Sequence, residues 1–384
     1  METTRRDFIG TAAAAAGCLA AGCTTGTAAS ASAKLPKFCK GALFHLGSNM
    51  WHDYDFDPDG WARSPEEEKT RPVPKGPAGT SSSYHSYLQC RDDLWKRGVD
   101  RLAARKLNVL FIDLGEGVEY PSHPELKVAG TWSVGKMRRE LDRIRSLGIL
   151  PLPKLNFSTC HDSWLKDYHR MVSTRKYYEV VADVIRDACE MFDSPPVFHI
   201  GFDEEIAAAG ENNFHMTIRH GDLWWHDLFY VIGQCEKNGA RATMWSDKVC
   251  DGRDEFLRRM TKNVIMSPWY YWPNIAEKAQ KWDPELEKKS GTWQVQGNLP
   301  ASFALLSDKG FDLLACGSNV YRDNATDAFV KFCKERLDPA HLLGLYTAPW
   351  YRMVPDTEKK PGISKVLAGV DQLADALERH FPGV

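Results

Sequence analysis

The chain has 384 residues, 43% of them hydrophobic and 26% charged, which allows a large buried core and excludes a disordered, highly charged polymer. Its formal net charge of −2, with no basic block, argues against nucleic acid as a main partner and favours a small molecule or a sugar. The length suits one large domain or two ordinary ones.

The first predicted element is a targeting segment. Thr4-Arg5-Arg6-Asp7-Phe8-Ile9-Gly10 is a twin-arginine pattern, and the apolar run 11–21 behind it is too short and too weakly hydrophobic for a permanent membrane span. Residues 1–33 therefore read as a twin-arginine export signal, cleaved after Ala33 in Ala31-Ser32-Ala33, which implies a periplasmic or cell-surface protein. A second option is a lipid anchor at Cys23, for which Leu19 stands one place too far away to make a good lipobox. Eight cysteines follow Lys34; an exported protein permits disulfides, but several of these cysteines sit in apolar runs, and no paired Cys/His spacing of a zinc site occurs.

From there strand-like and helix-like segments alternate. Short apolar strands are predicted at 41–46, 108–113, 149–155, 197–202, 242–246, 263–267, 311–316 and 343–347. Amphipathic helices are predicted at 92–106, 135–147, 174–192, 223–238, 254–260, 302–308, 326–336 and 364–381. Eight strand-then-helix units predict an α/β fold, a single (β/α)8 TIM barrel spanning 34–384, with long loops after strands 1 (48–83) and 6 (270–298). Both loops would lie on the carboxyl-end face, where such barrels build their sites. A doubly wound open sheet is the rival, but no GxGxxG follows the first strand.

The ends of the predicted strands collect polar and aromatic residues. The fourth runs into FHIGFDEE, Phe198 to Glu205, so that three acids follow a core strand. Strict alternation would put His199, Gly201 and Asp203 on one side, with Glu204 just past the strand at a rim. The other ends offer His45, Asn156 with His161 beyond, Trp245 and Asp247, Trp269 in a WYYW run, Tyr321 and Asp323, and Trp350 with Arg352. Flat aromatic walls with a few polar groups suit a sugar, whose C–H faces stack on rings while its hydroxyls take hydrogen bonds. Glycoside cleavage needs an acid for the leaving oxygen and a stabiliser for the anomeric carbon, commonly a second carboxylate about 5 Å away. Asp203 and Glu204 are sequence neighbours and would diverge, so one of them is not expected to attack from the opposite face. This favours attack by the substrate's own 2-acetamido oxygen, with Asp203 orienting the amide and Glu204 acting as acid and then base.

His199-Ile200-Gly201-Phe202-Asp203-Glu204 resembles the His-x-Gly-Gly-Asp-Glu signature of glycoside hydrolase family 20, the β-N-acetylhexosaminidases. The resemblance implies a (β/α)8 catalytic barrel, an Asp203 that polarises the acetamido group and a Glu204 that serves as acid/base. It also implies that Tyr321 in Tyr321-Arg322-Asp323 bonds the acetamido carbonyl, that Asp323 bonds a sugar hydroxyl, and that Trp245, Trp269 and Trp350 wall the acetamido pocket. Leu152-Pro153-Lys154-Leu155-Asn156 through His161 is similar in part to the family's Pro-Glu-Ile-Asp through Pro-Gly-His. Phe202 stands where the family has a glycine, Asn156 where it has an aspartate, and Arg352 where it has a glutamate, the last fitting a sulfated, carboxylated or otherwise anionic sugar.

The expected partner is thus an oligosaccharide or glycoconjugate, with no nucleic acid, no stable membrane span, and no cofactor or metal. Other readings stay open. Taken singly, His45, His161 and His199 also read as satisfied core histidines, the WYYW run as packing under a loop, and Tyr321 with Asp323 as a helix cap. A metal-dependent barrel hydrolase or isomerase would use His199, Asp203 and Glu205 as ligands, although no HxH pair ends strand 1 and no HExxH occurs. A non-catalytic carbohydrate-binding barrel would not require an acid placed for proton transfer.

Overall fold

The eight apolar segments pair, all parallel and in sequence order, into a closed barrel. In the computed structural model the described residues are 34–51, 84–212, 215–358 and 360–384, so the expected export signal, Cys23 and most of the first long loop lie outside them. The strands are β1 (Cys39–His45), β2 (Val109–Asp113), β3 (Leu150–Lys154), β4 (Val197–His199), β5 (Arg241–Trp245), β6 (Ile265–Ser267), β7 (Leu313–Gly317) and β8 (Leu342–Thr347). β8 closes on β1 with Cys39 opposite Gly344. Because both faces of a parallel sheet are covered, every residue of β2 and of β7 is buried, and the strands read as continuous apolar runs.

An outer helix follows each strand: α1 (Asp92–Ala104), α2 (Val134–Ser146), α3 (Arg175–Met191), α4 (Gly221–Lys237), α5 (Arg253–Arg259), α6 (Leu299–Asp308), α7 (Ala325–Arg336) and α8 (Ile363–His380). Their starts follow local chemistry. The Ser133 hydroxyl accepts a hydrogen bond from the Lys136 N–H at the head of α2, and Thr174 does the same for Tyr177 at the head of α3. α3 then buries Val180, Val181, Val184, Ile185 and Ala188 as one stripe against the barrel. The (β/α)8 barrel is therefore the architecture, and no helix among the described residues is long and apolar enough to cross a membrane.

Two features of the frame position the site. β4 is short: its one registered pair with β3 is Lys154 opposite His199, and backbone hydrogen bonds from Phe157 to Ile200 and from Trp245 to Gly201 carry the ladder only two residues further before the chain turns. The loop after β1 is held by Glu116, whose carboxylate accepts hydrogen bonds from the Ser48 N–H (2.8 Å) and the Asn49 N–H (3.1 Å). The eight cysteines at 39, 90, 160, 189, 235, 250, 316 and 333 are all free and buried, so the disulfides that an oxidising compartment permits are absent among them.

Candidate active site

The chain turns sharply where β4 ends. Gly201, Phe202 and Glu204 all have positive φ, at 72°, 70° and 55°. At Gly201 a Cβ would lie 2.0 Å from the Asn156 Oδ1, so only glycine lets the chain just past β4 approach the chain just past β3 here. That Asn156 oxygen accepts hydrogen bonds from the Ser158 N–H (3.0 Å) and the Phe202 N–H (3.2 Å), while its amide Nδ2 donates to Asp203 Oδ1 (2.8 Å). A left-handed Phe202 costs about 1–2 kcal/mol. Its buried ring, packed edge-on to Trp224 and under the Arg219 guanidinium, offsets that strain. The left-handed turns end the strand alternation expected through Phe202. Asp203 and Glu204 consequently do not diverge: both line one cleft.

Arg219, itself fully buried, clamps this turn from below. It donates to Glu205 through its backbone N–H (2.8 Å), Nε (2.9 Å) and Nη2 (2.6 Å), to the Phe157 carbonyl (2.9 Å), and it pairs with Asp227 on α4 at 3.2 Å. Glu205 is therefore committed to Arg219. The ligand set His199, Asp203 and Glu205 is not assembled.

The two acids meet His161, from the loop after β3. Its Nδ1 lies 3.2 Å from Asp203 Oδ1 and its Nε2 lies 3.5 Å from Glu204 Oε2. Burial opposes charge on His161, whereas the Cys160 sulfur and the Asp203 carboxylate raise its pKa well above the ordinary value. Burial pushes the Cys160 thiol up to about 11, so it is neutral near pH 7 and the Asp203 carboxylate is what holds the imidazolium. Burial would likewise raise Asp203, but His161 by charge and hydrogen bond, then Lys154 and Asn156, hold its pKa at about 2. Burial raises Glu204, and the Asp203 charge adds to that, against the opposing pull of His161 and a 3.0 Å hydrogen bond donated by Gln296. Adjacent carboxyls are thus tuned in opposite directions.

The cleft, about 1040 Å³, opens at the carboxyl ends of the strands. Asn156, His161, Asp203, Glu204, Trp269, Tyr321 and Trp350 line it, as placed from the sequence. Four other expected residues form the layer behind it. His45 is buried beside Asp113 (3.3 Å) and under Trp350 (ring centroids 5.3 Å apart). His199 accepts the Gly201 N–H at Nδ1 and packs on Trp245 (4.6 Å), which lies against Trp350 (6.0 Å) rather than in the cleft wall; burial and Lys154 hold His199 neutral. Asp247 accepts the Glu204 N–H at 2.8 Å and its second oxygen has no hydrogen-bond partner among the described residues; burial, then the Asp203 charge, pushes its pKa well up. The last two expected residues lie outside the lining: Asp323 is exposed and paired with Lys365 (2.6 Å), and Arg352 bonds His85 (2.7 Å) and Gln89 (3.3 Å).

Several residues that shape the site carry little or no mark in the sequence. Met50, Trp51, Cys160 and Gln296 line the cleft, and Lys154 with Asp113 forms a buried 2.6 Å ion pair beneath it. An acid ending VLFID and a lysine inside LPLPK are charges on core strands, and that signal points to the pair. Gln296 carries no such signal: it arrives on the loop after β6, some ninety positions from its partner. One imidazole and two carboxylates, His161, Asp203 and Glu204, also bring ligand atoms within 4.8 Å of one another, a donor set that suits a divalent cation.

No family model matches the chain, and no curated protein matches it in sequence. Solved structures share its fold. A β-N-acetylhexosaminidase from Bacteroides fragilis superposes with a TM-score of 0.50 at 14% identity, covering 88% of this chain and 65% of that one. The family 20 β-N-acetylhexosaminidase from Streptomyces coelicolor gives 0.50 at 13% identity over 73% of this chain and 60% of that one. The pneumococcal virulence factor StrH gives 0.50 at 11% identity over 90% of this chain and 84% of that one. This chain therefore spans less than two thirds of the length of the first two. What it shares with all three is the barrel fold, at 11–14% sequence identity.

Proposed function

We propose that this barrel, folded like the β-N-acetylhexosaminidases, is itself an exo-acting glycosidase that releases terminal β-linked 2-acetamido sugars with retention of configuration. The observation that carries the reading is the opposed tuning of Asp203, held ionised, and Glu204, pushed toward its protonated form, in one cleft walled by Trp269, Tyr271 and Trp350. Among the described residues the only other carboxylate on the lining is Asp283, which caps the turn Pro284–Glu287 by accepting the Glu285 N–H. No protein carboxylate there faces the two acids as a nucleophile would.

The chemistry follows from these positions. Asp203 accepts the acetamide N–H and turns the amide oxygen toward the anomeric carbon, while Glu204 gives its proton to the glycosidic oxygen. The amide oxygen–carbon bond forms as the glycosidic bond breaks, and the carboxylate of Asp203 stabilises the positive charge on the oxazolinium. Glu204, now ionised, takes a proton from water, whose oxygen opens the ring from the first face and restores the configuration. His161 keeps Asp203 charged throughout. A hexosamine thiazoline, which mimics the cyclised intermediate, tests this: it should raise the melting temperature of the wild type and lose that effect in Asp203→Asn. Inert aryl 2-acetamido glycosides together with no thiazoline stabilisation would overturn the reading.

The His161, Asp203 and Glu204 donor set supports a second reading, a metal-dependent hydrolase. Activity lost to a chelator and restored by a divalent ion would favour it. Export by the twin-arginine route, to the periplasm or the cell surface with cleavage after Ala33 or lipidation at Cys23, is part of the proposal and rests on the paired Arg5 and Arg6. Arg5→Lys with Arg6→Lys should leave the unprocessed protein in the cytoplasm; unchanged export would remove the compartment.

A further inference from the structure

The cleft is larger than one sugar requires, being at the top of the range of roughly 300–1,000 Å³ for small-molecule sites. Its inner wall is enclosed, with Trp269 and Tyr271 buried. Its outer wall is not. Trp272 is 39% exposed and Trp293 47%, whereas most of the other tryptophans among the described residues are buried. Both belong to the segment after β6, and the turn Trp293–Asn298 that presents Trp293 also carries Gln296, the donor to Glu204 Oε1. Since Glu204 protonates the leaving oxygen in the reading above, this segment borders the leaving-group side.

Two cations stand on the same wall. Lys278, at the end of the short helix Ile275–Lys278, and Lys281, three residues on, both line the cleft and are exposed. Neither side chain has an ion-pair or hydrogen-bond partner among the described residues, whereas Lys136 pairs with Asp92 and Lys365 with Asp323. The nearby acid on the lining, Asp283, turns one carboxylate oxygen to the Glu285 N–H as the cap of its own turn, and no ion pair joins it to either lysine among the described residues. Arg352, the residue whose type suggested an anionic sugar, is turned to His85 and Gln89 instead.

We infer that Lys278 and Lys281, with Trp272 and Trp293, form an outer subsite for a leaving-group sugar that carries an anion, a sulfate ester or a uronate carboxylate. The indoles take the C–H face of the ring and the lysines face its charged substituent. This inference rests on the glycosidase reading and names its substrate class.

The test uses β-linked disaccharides with a terminal 2-acetamido sugar and, at the reducing end, a plain hexose, a hexose 6-sulfate or a hexuronic acid. The wild type should show a higher kcat/KM for at least one anionic disaccharide than for the neutral one, and that ratio should shrink between 50 and 500 mM salt, conditions that shorten the screening length to a few ångströms. In Lys278→Gln with Lys281→Gln the ratio should fall about tenfold, the scale of two exposed ion pairs near 0.5–1 kcal/mol each. Whether the 6-sulfate or the uronate responds identifies the anion. A ratio that is indifferent to the variant and to salt overturns the subsite while leaving the glycosidase reading standing. If nothing is cleaved, calorimetric binding of the same three disaccharides to Glu204→Gln decides alone: salt-sensitive preference for an anionic ligand, lost in the lysine variant, supports the subsite, and equal binding rejects it.

Discussion

Glu204 and Asp203 must fail differently when altered, because one gives a proton and the other keeps a charge. Glu204→Gln should spare substrates with excellent leaving groups, which need little protonation, and lose most on poor ones. Asp203→Asn should slow good and poor leaving groups alike, by about 10²-fold or more, the usual scale for a lost preorganised charge contact. The measurement is kcat/KM across aryl 2-acetamido glycosides of graded leaving-group pKa; parallel losses for Glu204→Gln contradict the assignment. The pH profile reports the tuning itself. Activity requires ionised Asp203, so it is lost as pH falls through a pKa of about 2, and protonated Glu204, so it is lost as pH rises through that raised pKa. His161 lowers both, through its charge at 3.2 and 3.5 Å. His161→Gln should therefore move both limbs of the profile to higher pH, and a shift of either limb downward would remove His161 as the common partner. Asn156 supplies the remaining asymmetry: its amide donates to Asp203, which an aspartate in its place would not do at neutral pH.

At the scale of elements, the site depends on one short strand and the clamp beneath it. β4 ends at His199, and the backbone that presents the acids is irregular, held by Asn156 from the loop after β3 and by Arg219 ahead of α4. Arg219→Met would leave Glu205 and Asp227 buried without their cation, which costs about 3–5 kcal/mol. A urea titration should show that loss. It should also shrink as pH falls, because the stranded carboxyls can then be protonated. A loss under about 1 kcal/mol, independent of pH, would mean that the clamp is not what holds the turn. The loop after β1 is anchored by the same logic, a buried Glu116 accepting backbone N–H groups, and so brings Met50 and Trp51 to the cleft.

Taken as a whole molecule, the barrel is held by its core and not by cross-links. The eight cysteines of the described residues are small core side chains whose thiols burial raises, Cys39 and Cys189 to about 12. Mature protein, even recovered from an oxidising compartment, should show no rapid reaction of these thiols with a disulfide reagent while folded. All eight should react once it is denatured, and reductant should leave its melting temperature unchanged. Fewer than eight titratable thiols in the denatured protein would reveal a disulfide and contradict the packing. The division of the cleft, enclosed beside the acids and open beyond them, is also a property of the whole, since its walls come from the loops after β1, β3, β4, β6, β7 and β8.

What the sequence by itself determined is whatever repeats locally. Apolar runs of strand length, amphipathic stretches and their strict alternation specify eight βα units, and every predicted strand and helix is present within a few residues of its expected bounds. The position of a residue just past a strand is also local, so Asp203, Glu204, Asn156, His161, Trp269, Tyr321 and Trp350 could be placed at one end of the barrel. Only the tertiary structure decided which of the strand-end residues reach the cleft. Trp245, His45 and His199 stop one layer short, Asp323 turns to Lys365, Arg352 to His85, and Glu205 to Arg219. It also decided the protonation of the two acids, because burial and the meeting of His161, Lys154 and Gln296 with them set their pKa values. Those partners lie between about forty and ninety positions away in the chain. Periodicity records the direction of a side chain along its own element; it holds no record of the side chain that arrives from another.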